Sequence, residues 1–151
     1  MRISEFCEEL LNELRMLVGD NRVFFFNNDF ANEEGISRCL KNSPVIFLDF
    51  IGDTFIKNTF QKRCELELYV IHATSSVNIK NREVSFKEQM DFLERIEKHL
   101  FQLKLKNAGV IELFSLTKEY SDMTKNGFLS IYKRKLEVML HIENPYEEGE
   151  E

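Results

Sequence analysis

The chain of 151 residues has no tryptophan, only two prolines, three cysteines and six glycines. Cys7, Cys39 and Cys64 are widely separated and form no Cys-x-x-Cys pair, which excludes a disulfide scaffold and favours reduced thiols that act as small apolar residues. The scattered glycines exclude a glycine-rich phosphate loop. No apolar run approaches the roughly 18 to 20 residues that span a bilayer, so we expect no membrane contact.

Clusters of positive charge are also absent. Lys and Arg number 20 and Asp and Glu number 26, for a net charge of −6. Four of the acidic residues stand at the end of the chain, Glu147, Glu148, Glu150 and Glu151, and removing their charges leaves −2. Because nucleic-acid binding depends on clustered cations that neutralise phosphates, we expect no direct nucleic-acid binding.

No catalytic motif stands out in the sequence. The three histidines, His72, His99 and His141, are too far apart to suggest a metal site, and no serine lies in a Gly-x-Ser-x-Gly turn. We therefore expect no cofactor, no metal and no enzymatic activity. One enzyme or small-ligand hypothesis remains open: it requires a concave pocket near Asp49, Asp53 and His72.

The apolar residues present are sufficient for one ordinary domain, since they make up 43% of the chain. We predict a single α+β domain over residues 1–146 and an acidic, disordered tail over residues 147–151. The first residues mix acidic and apolar side chains without the long apolar segment of a secretory signal, which predicts a cytoplasmic protein.

Two segments have the apolar spacing of amphipathic helices. The first is predicted over Ile3–Val18, with Ser4 as N-cap and Gly19 at its end. The second is predicted to begin at the capping box Ser85–Glu88, after a polar loop over residues 73–84. Its apolar stripe contains Phe86, Met90, Leu93, Ile96, Leu100 and Leu103.

Several β-favouring runs complete the pattern, and Asn126-Gly127 predicts a tight hairpin turn between the last two. This order predicts a mainly antiparallel sheet of four or five strands with both amphipathic helices packed on one face. The predicted strands are Val23–Phe26, Val45–Ile51 (ended by Gly52-Asp53), Cys64–Val70, Val110–Lys118 and Phe128–Ile142.

Two of the predicted strands carry alternating opposite charges on the face away from the core. The spacing allows these charges to pair across neighbouring strands. The face is then either a solvated surface or a contact with another subunit, in which charge pairs select the partner and the register. The candidate interface residues are Arg63, Glu65, Glu67, Lys133, Lys135 and Glu137.

The order and spacing of these elements resemble the phage tail terminator, or tail-completion, family of Mu-like and related long-tailed phages, prophages and tail-like particles. The resemblance spans most of the chain. Its segments are the N-terminal helix, the strand and polar residues Phe24–Phe30, a weak helix, the proline-led strand Ser43–Gly52, the alternating strand Arg63–Ile71, a loop, the helix Met90–Leu103 and the strand Ile131–Val138.

The resemblance implies a structural protein without catalytic activity. It implies a ring of six copies that caps the tail tube, stops its polymerisation and offers a docking surface to the head–tail connector protein. The partners would be other copies of the chain, the tube protein and the connector, in the host cytoplasm during assembly and later in the virion or tail-like particle. Two predicted loops, residues 73–84 and 119–127, would contact the tube or connector through Ser76, Asn78, Lys80, Arg82, Asp122 and Lys125.

The main alternative is a small acidic binding protein, such as an immunity protein or antitoxin, that neutralises a basic partner. This hypothesis predicts a contiguous acidic patch on the folded domain. In the sequence, the acidic residues alternate with Lys and Arg except at the C-terminal end.

Overall fold

A computed structural model of the chain describes residues 2–26, 41–74, 79–105, 108–124 and 127–142. It confirms the predicted α+β class, with two long α-helices and a five-stranded sheet. The elements are α1 (Ile3–Val18), a 3-10 turn (Asp20–Arg22), β1 (Val23–Phe25), β2 (Val45–Phe55), β3 (Gln61–Thr74), α2 (Ile79–Leu100), β4 (Glu112–Thr124) and β5 (Gly127–His141).

The strand order in the sheet is β1-β2-β3-β5-β4. The pairs β2–β3, β3–β5 and β4–β5 are antiparallel, whereas β1 runs parallel to β2. The sheet is therefore mixed, and the prediction of a mainly antiparallel sheet holds only for four of the five strands. Nineteen residues separate Phe25 from Val45, which is enough chain for the long crossover that a parallel connection requires.

Helix α1 has the predicted bounds and buries the predicted apolar stripe, which includes Phe6, Leu10 and Leu14. Gly19 ends it with φ of 111°, a conformation that favours glycine, and its N–H donates to the carbonyl of Arg15. The predicted N-cap was wrong. Ser4 lies inside the first turn, Arg2 occupies the N-cap position, and no side-chain capping bond forms there.

Helix α2 begins earlier than predicted, at Ile79 instead of Ser85. Residues 79–84 contain no glycine or proline that would stop a helix from extending, so the capping box lies inside the helix. The predicted stripe is also wrong at its start, because Phe86 is 54% exposed. The buried residues of this helix are Gln89, Phe92, Leu93, Ile96 and Leu100.

Strands β2, β3 and β4 are all longer than predicted. The dipeptide Gly52-Asp53 does not end β2, because a bulge between Phe50 and Gly52 lets the strand continue to Phe55. Strand β4 continues to Thr124, so residues 119–124 are strand and not loop. Antiparallel pairing of β4 with β5 as far as Thr124 and Gly127 confirms the hairpin, and Gly127 begins β5 with φ of 122°; Asn126 lies outside the described residues.

The interior has two hydrophobic clusters. The larger contains residues of α1 and α2 together with the alternating residues Cys64, Leu66, Leu68 and Val70 of β3. The second includes Ile71 of β3 and five further buried residues, Val45, Phe47, Ala73, Leu129 and Ile131. Since neighbouring residues of a strand point to opposite faces, the sheet is apolar on both faces near the end of β3. Neither described helix has the length and apolar character needed to cross a bilayer.

Candidate interaction surfaces

Charged side chains of β3 and β5 form a ladder on one face of the sheet, which we call the charged face. Lys133 Nζ lies 3.8 Å from Glu67 Oε1, and Lys135 Nζ lies 3.8 Å from Glu65 Oε1. Glu65 and Glu67 alternate along β3 with residues of the larger hydrophobic cluster, and Lys133 and Lys135 lie on the same face of the neighbouring β5. The predicted pairing of opposite charges across neighbouring strands is therefore present, and it is satisfied within one chain.

The charged face also includes Glu119 of β4, which the sequence analysis had placed in a loop. Its carboxylate lies 3.3 Å from Lys133 Nζ and accepts a hydrogen bond of 2.8 Å from the hydroxyl of Thr117. The hydrogen bond from Thr117, and then the nearby ammonium group, lower the pKa of Glu119. Lys133 thus bridges carboxylates on both neighbouring strands, an arrangement that depends on the full length of β4.

Half-buried polar groups extend the charged face towards β2. The hydroxyl of Tyr69 donates to Glu67 over 2.9 Å, and burial together with this carboxylate raises the pKa of Tyr69 to about 12. Burial, and then the charge of Glu67, raise the pKa of Asp49. Negative charge is therefore concentrated where Asp49 and Glu67 lie side by side in paired strands.

The remaining two candidate interface residues, Arg63 and Glu137, lie towards the other end of the charged face. Both line a depression of about 300 Å³ that is also lined by Val110 and Phe114. Val110 and Phe114 are exposed, and Lys135 Nζ lies 6.0 Å from the centroid of the Phe114 ring. The charged face thus adjoins exposed apolar surface, a combination that is common where proteins contact one another.

Three of the six residues predicted for tube or connector contact are described by the structure, and these three lie in a helix or a strand instead of a loop. Lys80 and Arg82 belong to the first turns of α2, and Asp122 belongs to β4. Arg82 lies near the start of β5, with its guanidinium carbon 5.5 Å from the ring centroid of Phe128. Ser76, Asn78 and Lys125 lie outside the described residues.

The residues of the open small-ligand hypothesis are not brought together. Asp49 lies on the charged face. After the bulge, the side chains of β2 alternate in the opposite phase, so Asp53 lies on the other face beside Cys64. There its carboxylate lies 3.5 Å from the Lys62 ammonium group. His72 lies near the end of β3 but is not solvated. It is only 8% exposed inside β3, and burial lowers its pKa.

A groove of about 550 Å³ separates the first half of α2 from the ends of β3, β5 and β4. His72 lines this groove, with its Nε2 atom 3.5 Å from Glu88 of α2. The groove could not be predicted from the sequence, because residues 79–84 were expected to form a loop and instead begin α2. The available signal in the sequence was the presence of the apolar residues Ile79 and Phe86 in a polar segment; both line the groove and are exposed.

Within the described ranges, no group of three His, Cys, Asp or Glu side chains is arranged to hold a metal ion. Cys7 and Cys64 are free and buried, as expected for small apolar residues, and burial raises the pKa of both thiols. Cys39 lies outside the described residues.

No protein-family model matches the chain, and no curated protein matches it.

Proposed function

We propose that the protein is a structural subunit that assembles into a ring, as a tail terminator of a phage, prophage or tail-like particle. The charged face is the observation that supports self-association most strongly. Its ion pairs hold opposite charges at fixed positions, and a depression bordered by exposed Phe114 lies beside them. Such a surface combines charge matching with apolar area, which suits a specific protein contact.

In this proposal both helices pack on the face opposite the charged one. The larger hydrophobic cluster supports this arrangement, since it joins residues of α1 and α2 with alternating residues of β3 and β5. The helices then cover one face of the sheet, and the charged face is left to meet a neighbouring subunit. Arg63, Glu65, Glu67, Lys133, Lys135 and Glu137 form the subunit interface.

The ring contains six copies and caps the tail tube, where it stops polymerisation and provides the docking surface for the head–tail connector protein. The end of the sheet where Arg82 approaches Phe128 contacts the tube or the connector. Assembly takes place in the host cytoplasm before the ring joins the virion or tail-like particle. The protein acts through shape and copy number and carries out no covalent reaction.

Two features support the tail-terminator assignment beyond self-association. The first is the order of elements, which resembles that of the family. In this chain, an N-terminal helix precedes a short strand and two longer ones, and a second helix precedes the hairpin of β4 and β5. The second is the pairing of acids with lysines on the charged face, which differs from the contiguous acidic patch expected of an immunity protein.

Electron microscopy of the purified protein tests the proposal. At millimolar concentration we expect annular particles with six-fold symmetry. A protein that remains monomeric at that concentration, or that forms a one-to-one complex with a toxin, would contradict the ring.

A further inference from the structure

We propose that the groove under α2 binds a small amphipathic anion, of the class of medium-chain carboxylates, whose charged group pairs with Arg82. The groove lies between the first half of α2 and the ends of β3, β5 and β4. This inference does not depend on the ring: the groove includes none of the six proposed subunit-interface residues, although Arg82 and Phe128 also belong to the proposed tube or connector contact.

Apolar side chains form much of the wall of the groove. Ile79 and Phe86 of α2 are 66% and 54% exposed, and Phe128 of β5 lies across from them. Large apolar side chains that remain exposed along one concave surface are characteristic of binding sites. The volume of about 550 Å³ is in the range of small-molecule pockets.

Arg82 supplies the group that would bind the anion. Its Nε atom is buried and has no hydrogen-bond partner in the structure as described, while its guanidinium carbon lies 5.5 Å from the centroid of the Phe128 ring. A buried donor without an acceptor is costly, and the cost is larger for a charged group. A bound carboxylate would satisfy the guanidinium in the planar geometry that Arg favours.

The charges around the groove favour an anion over a cation. Among the described residues, Arg82, Lys87 and Lys118 line it together with the carboxylate of Glu83, and Glu88 lies beside it against His72, so that three cationic groups face two carboxylates. This local excess of positive charge stands out in a chain whose net charge is −6. Charge complementarity therefore selects an anionic head group, while the apolar wall selects an apolar body.

The floor of the groove is held rigidly by a buried glutamine. Gln89 of α2 is almost completely buried, and its amide nitrogen donates to the carbonyl oxygens of Val70 (3.4 Å) and Ser130 (3.1 Å). These bonds tie α2 to two neighbouring strands. A groove whose walls are held in place before binding loses less entropy when a ligand binds.

Titration of the ¹⁵N-labelled full chain with sodium decanoate, followed by NMR, tests the proposal. We expect the chemical shifts of the backbone amides that line the groove to change and to saturate, with a dissociation constant of about 1 mM or tighter. Decanol, which has the same apolar body without the charge, should bind about tenfold more weakly, and acetate should not bind measurably.

Variants of cationic residues separate a specific charge pair from general attraction. Arg82→Gln should weaken decanoate binding about 10- to 100-fold, and Arg82→Lys should have an intermediate effect because it keeps the charge without the planar group. Lys98→Gln is the matched control: it makes the same charge change on the same helix, about 24 Å away along the axis, and should leave binding unchanged. Unchanged NMR spectra of the free variants would show that each one folds.

Four results would overturn the proposal. The first is equal affinity for decanoate and decanol, which would mark a purely apolar contact surface. The second is equal loss of binding in the Arg82→Gln and Lys98→Gln variants, and the third is the absence of shifts in the groove. If the same resonances shift when only the protein concentration is raised, a second copy occupies the groove and the proposal fails.

Discussion

Asp49 and Asp53 lie four residues apart in β2 but have opposite electrostatic environments. Burial and the charge of Glu67 raise the pKa of Asp49, so its ionised form is disfavoured in the folded chain. Asp53 instead lies 3.5 Å from the ammonium group of Lys62. The reversal of faces at the bulge between Phe50 and Gly52 produces this contrast.

The two aspartates should therefore respond differently to neutralisation. Because the folded chain binds the Asp49 proton more tightly than the unfolded chain, stability falls as pH rises past the unfolded pKa of about 4. We expect Asp49→Asn to maintain or raise the free energy of unfolding at pH 7. Asp53→Asn should lower it by up to about 1 kcal/mol. Urea unfolding measures both effects, and a clear loss of stability in Asp49→Asn would contradict the assigned environment.

His72 should make stability depend on pH in the opposite direction. Burial lowers its pKa more than Glu88 raises it, and the charge of Arg22 lowers it further. The unfolded chain then takes up a proton near pH 6.5 that the folded chain takes up only at lower pH, so stability falls as pH drops below about 6.5.

His72→Gln should flatten this dependence between about pH 7.5 and pH 5.5, as measured by urea unfolding at several pH values. His141→Gln is the matched control, because His141 is exposed at the end of β5. A slope that is unchanged in His72→Gln would show that other groups determine the pH dependence.

At the scale of elements, α1 was predictable in full except for its cap. Its apolar spacing is regular and Gly19 provides an unambiguous end, so local sequence determines both bounds. The start of α2 was not predictable from local signals. Polar residues before Ser85 are compatible with either a loop or an exposed helix, and only the placement of the sheet beneath them decides which forms.

Strand ends were misjudged for a similar reason. Gly52-Asp53 is a typical turn signal, yet β2 continues because β3 offers hydrogen-bonding partners as far as Lys62, opposite Phe55. The charged face was nevertheless predictable in its main pairs, since alternation along β3 and β5 is a local property. Glu119 was missed because its position depends on two register shifts in β4.

Helix α1 offers a direct test of how much its packing contributes to the free energy of unfolding. Leu10 is fully buried in the larger hydrophobic cluster, whereas Met16 on the same helix is 82% exposed. We expect Leu10→Ala to cost about 2 to 5 kcal/mol and Met16→Ala to change stability by no more than about 0.5 kcal/mol. Chemical unfolding provides the comparison. A cost below about 1 kcal/mol for Leu10→Ala would mean that the site collapses around the truncated residue.

At the scale of the whole molecule, the sheet is a layer with two different faces. The larger cluster contains residues of both helices together with alternating residues of β3, and the intervening residues of β3 and β5 form an apolar end and a ladder of charges. The ion pairs of this ladder are partly exposed, and such pairs contribute little to the stability of a single chain. In our account, they persist because they match the charges of a neighbouring subunit.

The double substitution Glu65→Lys with Lys135→Glu tests this claim most directly, because it restores the pair within the chain but reverses the charges offered to a neighbour. The matched control exchanges Arg2 and Glu5, an exposed ion pair at the N-terminal end of α1. Sedimentation velocity measures self-association, and we predict that the double variant associates at least about tenfold more weakly than the wild type, with an unchanged melting temperature. The control variant should associate as the wild type does. If the double variant self-associates as strongly as the wild type does, the charged face is not the subunit interface.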